Sequence, residues 1–343
     1  MSQTATNTLA TFQLVDEDRW DTYIKHRPGY PDSMFQRWLD YHGANNNLES
    51  IHDLGTGGGV GPLALLQALP RLRGDSCGGG NNTPIIKMVH LSDPGAANIA
   101  AAGRNLTSTR FPGVHFTFHR GRGEDPNPNV GPGTLDMVTA YECLHWTDIE
   151  PTMRNVAAYL RPGGTFAAVH YYAVPRIVNN PTARQAQLDM EVLYSRTLAE
   201  RGARMDTKLR LQVATGLDFV PMDPDVWQGV VRRYVNVRNR EWICDEMLLG
   251  SGLTEAEISA RAPRRWMDFA REKEEVVEQD WEDWGRRGVG VQELREYQAG
   301  RMPGVFDDFA ETAEWKALER AVDEGGGRVD VEIPMTMILA RKK

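Results

Sequence analysis

The segment Asp53-Leu54-Gly55-Thr56-Gly57-Gly58-Gly59-Val60-Gly61 puts five glycines into the eight positions that follow a carboxylate. Without Cβ atoms, such a turn lets a ligand approach backbone N–H groups closely, and it tolerates positive φ. A dinucleotide fingerprint fits poorly, because the residue three after Gly57 is Val60. Only Gly59, Gly61 and Ala64 meet the looser GxGxxA form, and they run too far into the following apolar segment. An acidic residue just before the first glycine instead suits a ligand with an ammonium or hydroxyl group, bound directly or through water. Asp93 ends the next apolar run and can accept both hydroxyls of a ribose, while Glu124 or Asp125, after Gly123, can meet an adenine amino group.

Other residue types capable of chemistry stand near these. Tyr141, Glu142, His145 and Trp146 stand at the end of and just after the strand-like run 134–142, with His145 as a candidate base or orienting group. Arg27, between Tyr23 and Tyr30 and next to Pro28, suits a two-pronged grip on a carboxylate. His170, Tyr171 and Tyr172 end another strand-like run, where alternation prevents all three from facing one crevice. Arg232, Arg233, Arg238, Arg240, Arg261, Arg264 and Arg265 interleave with Trp242 and Trp266. Acidic residues from 272 to 283 can neutralise them, so the group reads first as a solvated face, next as part of an anion site, and last as a nucleic-acid patch.

The elements that must position these groups follow from apolar period. Residues 48–55 predict a strand, 60–72 a helix, 85–93 a strand, 94–106 a helix, 114–121 and 134–142 strands, 148–160 a helix and 163–172 a fifth strand. Alternation of this kind implies right-handed crossovers and a mostly parallel sheet covered on both faces. Residues 73–84 are glycine- and asparagine-rich without period and read as a surface insertion. After Tyr172 the pattern shifts to longer charged helices. Residues 182–202 form one, and 266–284 place Trp266, Ala270, Val277, Trp281 and Trp284 on one helical face. Strands are expected at 225–237 and 329–343.

The whole chain has 343 residues, 41% hydrophobic and 25% charged, which suits one large folded domain or two modest ones. A formal charge of -8 disfavours a nucleic-acid partner. No apolar run is long enough to span a bilayer and no secretory signal pattern opens the chain, so a cytoplasmic location without membrane association is expected. Cys77, Cys143 and Cys244 are too scattered for a disulfide framework or a cysteine-rich metal site, so no metal is expected.

DLGTGGGVG, LSD, GRGED, LDMVTAYECLHW and LRPGG, in that order, resemble the class I S-adenosylmethionine-dependent methyltransferases. YIKHRPGYP at 23–31 resembles the entry motif of trans-aconitate methyltransferase-like enzymes and their fungal small-molecule relatives. Two features depart from that pattern: Pro94-Gly95-Ala96-Ala97-Asn98 after the second strand, and the insertion 73–84.

The resemblance implies an α/β, Rossmann-like sheet of seven strands in order 3-2-1-4-5-7-6, the last antiparallel, with helices on both faces and a helical lid. Expected units are an N-terminal helical cover (1–45), a cofactor-binding core (46–172), a lid (173–325) returning one strand near 225–237, and a final strand (326–343). S-adenosylmethionine is the implied cofactor, held by Asp53, Gly55, Gly57, Asp93, Glu124 and Tyr141. Arg27, Trp146 and Tyr171 are expected to contact the acceptor, with His145 and Tyr23 as orienting groups or weak bases.

Methyl transfer from a sulfonium needs close alignment and exclusion of water, and a carboxylate or thiolate acceptor needs no base. The favoured activity is carboxyl methylation of a small, anionic acceptor by a monomer or homodimer. Alternatives are a thiol or phenol acceptor, a nicotinamide-dependent oxidoreductase, or a cofactor-binding protein without turnover.

Overall fold

The computed structural model describes residues 27–43, 46–72, 86–172, 174–200, 207–237, 248–254, 256–258, 275–279, 282–301 and 309–343. Tyr23, the insertion 73–84, Cys77, Cys244, Trp242, Trp266, Trp281 and the arginines from 238 to 265 lie outside them.

The chain runs α1 (Asp32–His42), β1 (Ser50–Leu54), α2 (Val60–Leu72), β2 (Met88–Asp93), α3 (Ala96–Asn105), β3 (His115–Arg120), β4 (Leu135–Tyr141), α4 (Ile149–Tyr159) and β5 (Leu160–Tyr171). It continues through β6 (Arg176–Ile177), α5 (Pro181–Glu200), α6 (Thr207–Ala214), β7 (Trp227–Val235), β8 (Glu275–Gln279), β9 (Gly285–Val289), α7 (Val291–Arg301), α8 (Ala313–Glu324), β10 (Val329–Glu332) and β11 (Met335–Lys342).

The main sheet has eight strands in the order β3-β2-β1-β4-β5-β11-β7-β8. Strands β1 to β5 are parallel, and β11 is antiparallel to both β5 and β7. With β7 as the sixth strand and β11 as the last, this is the expected order. The expected count of seven is corrected by β8, which pairs in parallel with β7 at the edge.

The strands alternate their apolar side chains between two cores. Ile51, Val89, Met137, Val169 and Met337 pack with Trp38, Leu65 and Leu69 from α1 and α2. On the other face Leu54, Val138, Phe166 and Ile338 pack with Met153 and Val156 of α4. Every residue of β4 is buried, as a central strand covered on both sides requires.

Beyond β5 the chain builds a third core. A three-stranded sheet, β6-β10-β9, packs with α5, α7 and α8 around Ile177, Met190, Val289, Trp315 and Val331. This region was expected to be helical apart from one returning strand, yet it also contains β6, β8 and β9. Of the helical face expected over 266–284, Trp266, Ala270 and Trp281 lie outside the described residues, while the described part is not an α-helix: Val277 lies in β8, and Trp284 ends a single 3-10 turn. The strand expected at 329–343 is split between two sheets, because Pro334 has no N–H to continue the ladder.

Candidate active site

One cleft opens at the carboxyl ends of β1, β2 and β4, where a parallel α/β sheet offers its crevice. It holds about 1010 Å³ of space, the open solvent at its mouth included.

The glycine turn forms the floor. Gly55, Gly57 and Gly59 all have positive φ (62°, 54° and 82°), the conformation that glycine adopts without a Cβ clash. A Cβ on Gly55 would stand 2.4 Å from that of Cys143, and one on Gly61 would stand 2.3 Å from the Tyr141 ring. The turn is tied to β2 by Thr56 N donating to the Ser92 carbonyl at 2.9 Å.

Two buried carboxylates flank this turn. Asp53 (1% exposed) accepts from Thr139 Oγ1 at 2.7 Å, its register partner on β4. Asp93 accepts from the N–H groups of Gly57 and Gly95 at 3.0 and 2.8 Å, and from Asn98 Nδ2 at 2.8 Å. Gly95 and Asn98 bond to Oδ1, and Gly57 bonds to Oδ2. The segment Pro94–Asn98, which departs from the resembled pattern, thus orients this carboxylate.

On the far wall, Glu124 pairs with Arg122 at 3.5 Å, while Asn155 Nδ2 holds the carbonyls of Gly123 and Glu124 at 3.1 and 2.9 Å.

The other end is aromatic. Tyr141 packs between Tyr30 (ring centroids 4.9 Å apart) and Trp38 (5.2 Å). Tyr30 and Tyr171 both approach Trp284, at 6.5 and 5.5 Å. Arg27 lies over the Tyr171 ring at 5.8 Å. Its segment is anchored because α1 starts straight after Pro31, and Asp32 at that start takes a two-pronged bond from Arg71 of α2, both arms 2.6 Å.

Arg27, Asp53, Gly55, Gly57, Asp93, Glu124, Tyr141, Trp146 and Tyr171 all line the cleft. His145 is not among the lining residues. Its ring packs against Trp146 and edge-on to His170 at 5.0 Å. Burial, with His170 and Arg27 adding to it, holds its pKa well below the usual value, so it stays neutral.

Glu142 was singled out only by its place after the fourth strand, and its backbone was unforeseen: it has φ 54°, one of two non-glycine positive values among the described residues. Its Oε1 accepts from Tyr171 N and lies 3.4 Å from His170 Nδ1. Cys143 is an unforeseen wall residue: its Sγ bonds to the Leu54 carbonyl at 2.9 Å, and its Cβ occupies the space that Gly55 leaves.

Burial pushes Asp53 up to about 7 and Glu142 up to about 8. Their unfolded counterparts release protons near 3.8 and 4.5. The folded chain therefore holds protons that the unfolded chain has lost, and stability falls as pH rises through this range. Buried His52 and His170 act oppositely: burial lowers them to about 3 and 4, so they cost stability only below the usual histidine range. Five buried or half-buried histidines (His42, His52, His90, His145 and His170) are lowered in this way and offset the carboxylates near pH 7. The carboxylates therefore dominate only above the usual histidine range, and urea denaturation of the unliganded protein should show a loss of about 1 kcal/mol between about pH 7.5 and about pH 9. Stability that is flat or rising over that interval contradicts these burial effects.

Comparison with known proteins gives a consistent picture. Residues 76–168 match the family model of a methyltransferase domain. Methyltransferase ptaI of Pestalotiopsis fici is 24% identical over 95% of this chain and 93% of its own length. Methyltransferase AacuQ of Aspergillus aculeatus is 32% identical over 48% of each chain. Among solved structures, one described as a type II methyltransferase from Anaeromyxobacter dehalogenans shares the fold. Its TM-score is 0.50 at 16% identity, over 92% of this chain and 97% of that one.

Proposed function

We propose that this chain, a class I S-adenosylmethionine-dependent methyltransferase, methylates a carboxyl oxygen of a small molecule to give a methyl ester. Bound S-adenosylmethionine supplies a methyl group on a positively charged sulfur, open to in-line displacement by an oxygen nucleophile.

The residues present fit that cofactor. The backbone of Gly55 and Gly57 forms a floor on which no side chain stands. Asp93 uses three acceptor positions within the chain, and a carboxylate offers about four. One therefore remains on Oδ2 for a ribose hydroxyl. Asp53 and Tyr141 would flank the amino-acid end of the cofactor, with Glu124 near the base.

The observation that carries the carboxylate reading is Arg27, a guanidinium in the same cleft as the glycine turn and Asp93. A carboxylate is already nucleophilic at neutral pH, so the chain has only to bind it, orient it and keep water out. Arg27 would grip it, Tyr171 and Trp146 would pack its carbon skeleton, and the third core beyond β5 would cover it. A phenolic hydroxyl is the second reading, favoured by Glu142, a carboxylate on the same wall that could take a proton.

Purified protein given S-adenosylmethionine should convert members of a panel of aromatic and aliphatic acids into alkali-labile methyl esters, in preference to phenols and thiols. Arg27→Ala should lower kcat/KM for the acid about 30-fold to 100-fold, mainly through KM, as loss of a charged hydrogen-bonding partner implies. Methylation of phenols alone, indifferent to Arg27, refutes the carboxylate reading.

A further inference from the structure

The buried, strained carboxylate of Glu142 is not needed for methyl transfer to an acid, and its place in the cleft calls for a physical account. The left-handed backbone at Glu142 is a conformation that strains a non-glycine residue. That conformation turns the chain just as it leaves β4, and the Glu142 N–H still donates to the Val169 carbonyl at 3.0 Å. The side chain folds back so that Oε1 takes the Tyr171 N–H and faces His170. Both contacts use Oε1. Oε2 makes no hydrogen bond among the described residues, and it is not sealed in, since the side chain is 13% exposed and lines the cleft.

The charged and titratable groups around it come from every neighbouring element. Arg27 lies on the N-terminal segment, close enough to favour the charged form of Glu142. His170 on β5 is at 3.4 Å, and His145 in the turn after β4 packs on His170. Across the glycine turn stand Asp53 and Asp93, and Cys143 follows in the chain. Tyr30 and Tyr171 complete the wall. Burial keeps both histidines neutral; among the described residues the cations lining the cleft are Arg27 beside this wall and, on the far wall, Arg122, which pairs with Glu124.

Resting on the carboxylate reading above, we propose that Glu142 is a specificity-determining residue that binds the acceptor as a neutral acid, donating the proton on Oε2 to the acceptor's carboxylate beside Arg27. With Oε1 committed to the Tyr171 N–H, Oε2 is where a proton would sit. Two ionised carboxylates in one buried cleft repel strongly, so an anionic acceptor enforces the neutral form, as in other carboxyl pairs that share a site. Burial of Glu142 works in the same direction. Arg27 then balances one negative charge, that of the acceptor. No proton leaves Glu142 during transfer: the acceptor oxygen forms the new O–C bond, and the electron pair of the broken S–C bond stays on sulfur. An acceptor that must lose a proton is disfavoured, because the carboxyl group facing it is already protonated.

The test is calorimetric titration of the full chain, saturated with S-adenosylhomocysteine, with 1-naphthoate as the probe acid. Titration at pH 7 to 9.5 in buffers of differing ionisation enthalpy reports proton exchange directly. Wild type should take up about one proton per naphthoate above pH 8, and its affinity should fall about tenfold per pH unit there. Glu142→Gln keeps a neutral donor, so its binding should involve no proton uptake and should not vary with pH. At pH 9 it should therefore bind about tenfold tighter than wild type. Glu142→Ala, with folding checked by retained S-adenosylhomocysteine binding, should bind weakly at every pH.

PH-independent naphthoate binding by wild type without proton uptake overturns the proposal while leaving the carboxylate reading intact. Failure of any panel acid to bind or be methylated, with phenols accepted, overturns both and makes Glu142 a base.

Discussion

Asp93→Ala should reduce affinity for S-adenosylhomocysteine at least about 100-fold in calorimetric titration, the largest effect expected of any single change in the cleft. The side chain accepts three hydrogen bonds from inside the chain and keeps one acceptor position for the ligand. Its removal takes away the proposed ligand contact and also leaves the Gly57 and Gly95 N–H groups without this acceptor and the Asn98 amide without this bond, so the glycine turn keeps only its backbone tie from Thr56 to Ser92 on β2. Unpaired buried donors cost about 1–3 kcal/mol each, which should also lower the stability of the unliganded protein.

Asp93→Asn tests the same point without changing shape. Each oxygen of Asp93 accepts from at least one N–H, so an amide must turn its own NH2 toward a donor whichever way it is flipped. It should therefore bind nearly as poorly as alanine. Affinity within threefold of wild type in either variant would remove Asp93 from the cofactor site.

Gly61→Ala should destabilise the protein by about 3 kcal/mol or more, read from urea denaturation, and should abolish cofactor binding in whatever remains folded. No positive φ is involved at Gly61, so the cost is steric alone. The added methyl would sit 2.3–2.6 Å from three atoms of the Tyr141 ring. That ring cannot retreat, because Tyr30 and Trp38 pack against it and it is 7% exposed. Cutting the ring back in Gly61→Ala/Tyr141→Leu should recover part of the loss. If the single variant loses less than about 1 kcal/mol, Tyr141 is not wedged against the turn as described.

The parallel half of the molecule was legible because its signals are local. Residues 60–72 have leucines at helical spacing with Pro62 in the first turn, and the helix has those same bounds. Asp53 and Asp93 were found because a strand end next to a glycine turn can point only at the crevice. Beyond Tyr172 the signals conflict. Val277 and Trp284 are seven residues apart, a spacing that suits a helix face, yet β8 forms there because β7 offers an open edge to pair with. Strand β6 has two residues, too few for any period to register. Glu142 was named for its place at the strand end, but its conformation was not legible: nothing in Ala-Tyr-Glu-Cys announces a left-handed glutamate. That conformation is imposed by the bond from its N–H to Val169 and by the Tyr171 N–H that captures its side chain. Arg27 reaches the cleft through the Asp32–Arg71 tie and the packing of Tyr30, contacts between distant parts of the chain that no local pattern encodes.

The position of β11 governs the order in which the molecule can assemble. Strands β1 to β5 pair only with one another along one side and are made within the first half of the chain, so the cleft's glycine turn and both aspartates can fold while synthesis continues. Strands β7 and β8 have no such partner available. Their only route into the sheet is through β11, which is made about a hundred residues after β7 and bridges it to β5. Closing loops of that length is slow. Until β11 arrives, the edge of β5 exposes unpaired backbone beside Tyr171, and the wall that carries Glu142 and His170 lacks its support. The end of the cleft built by the glycine turn, Asp53 and Asp93 can thus form early in synthesis, whereas the end that carries Glu142 and Tyr171 is completed only after β11 has locked into the sheet between β5 and β7.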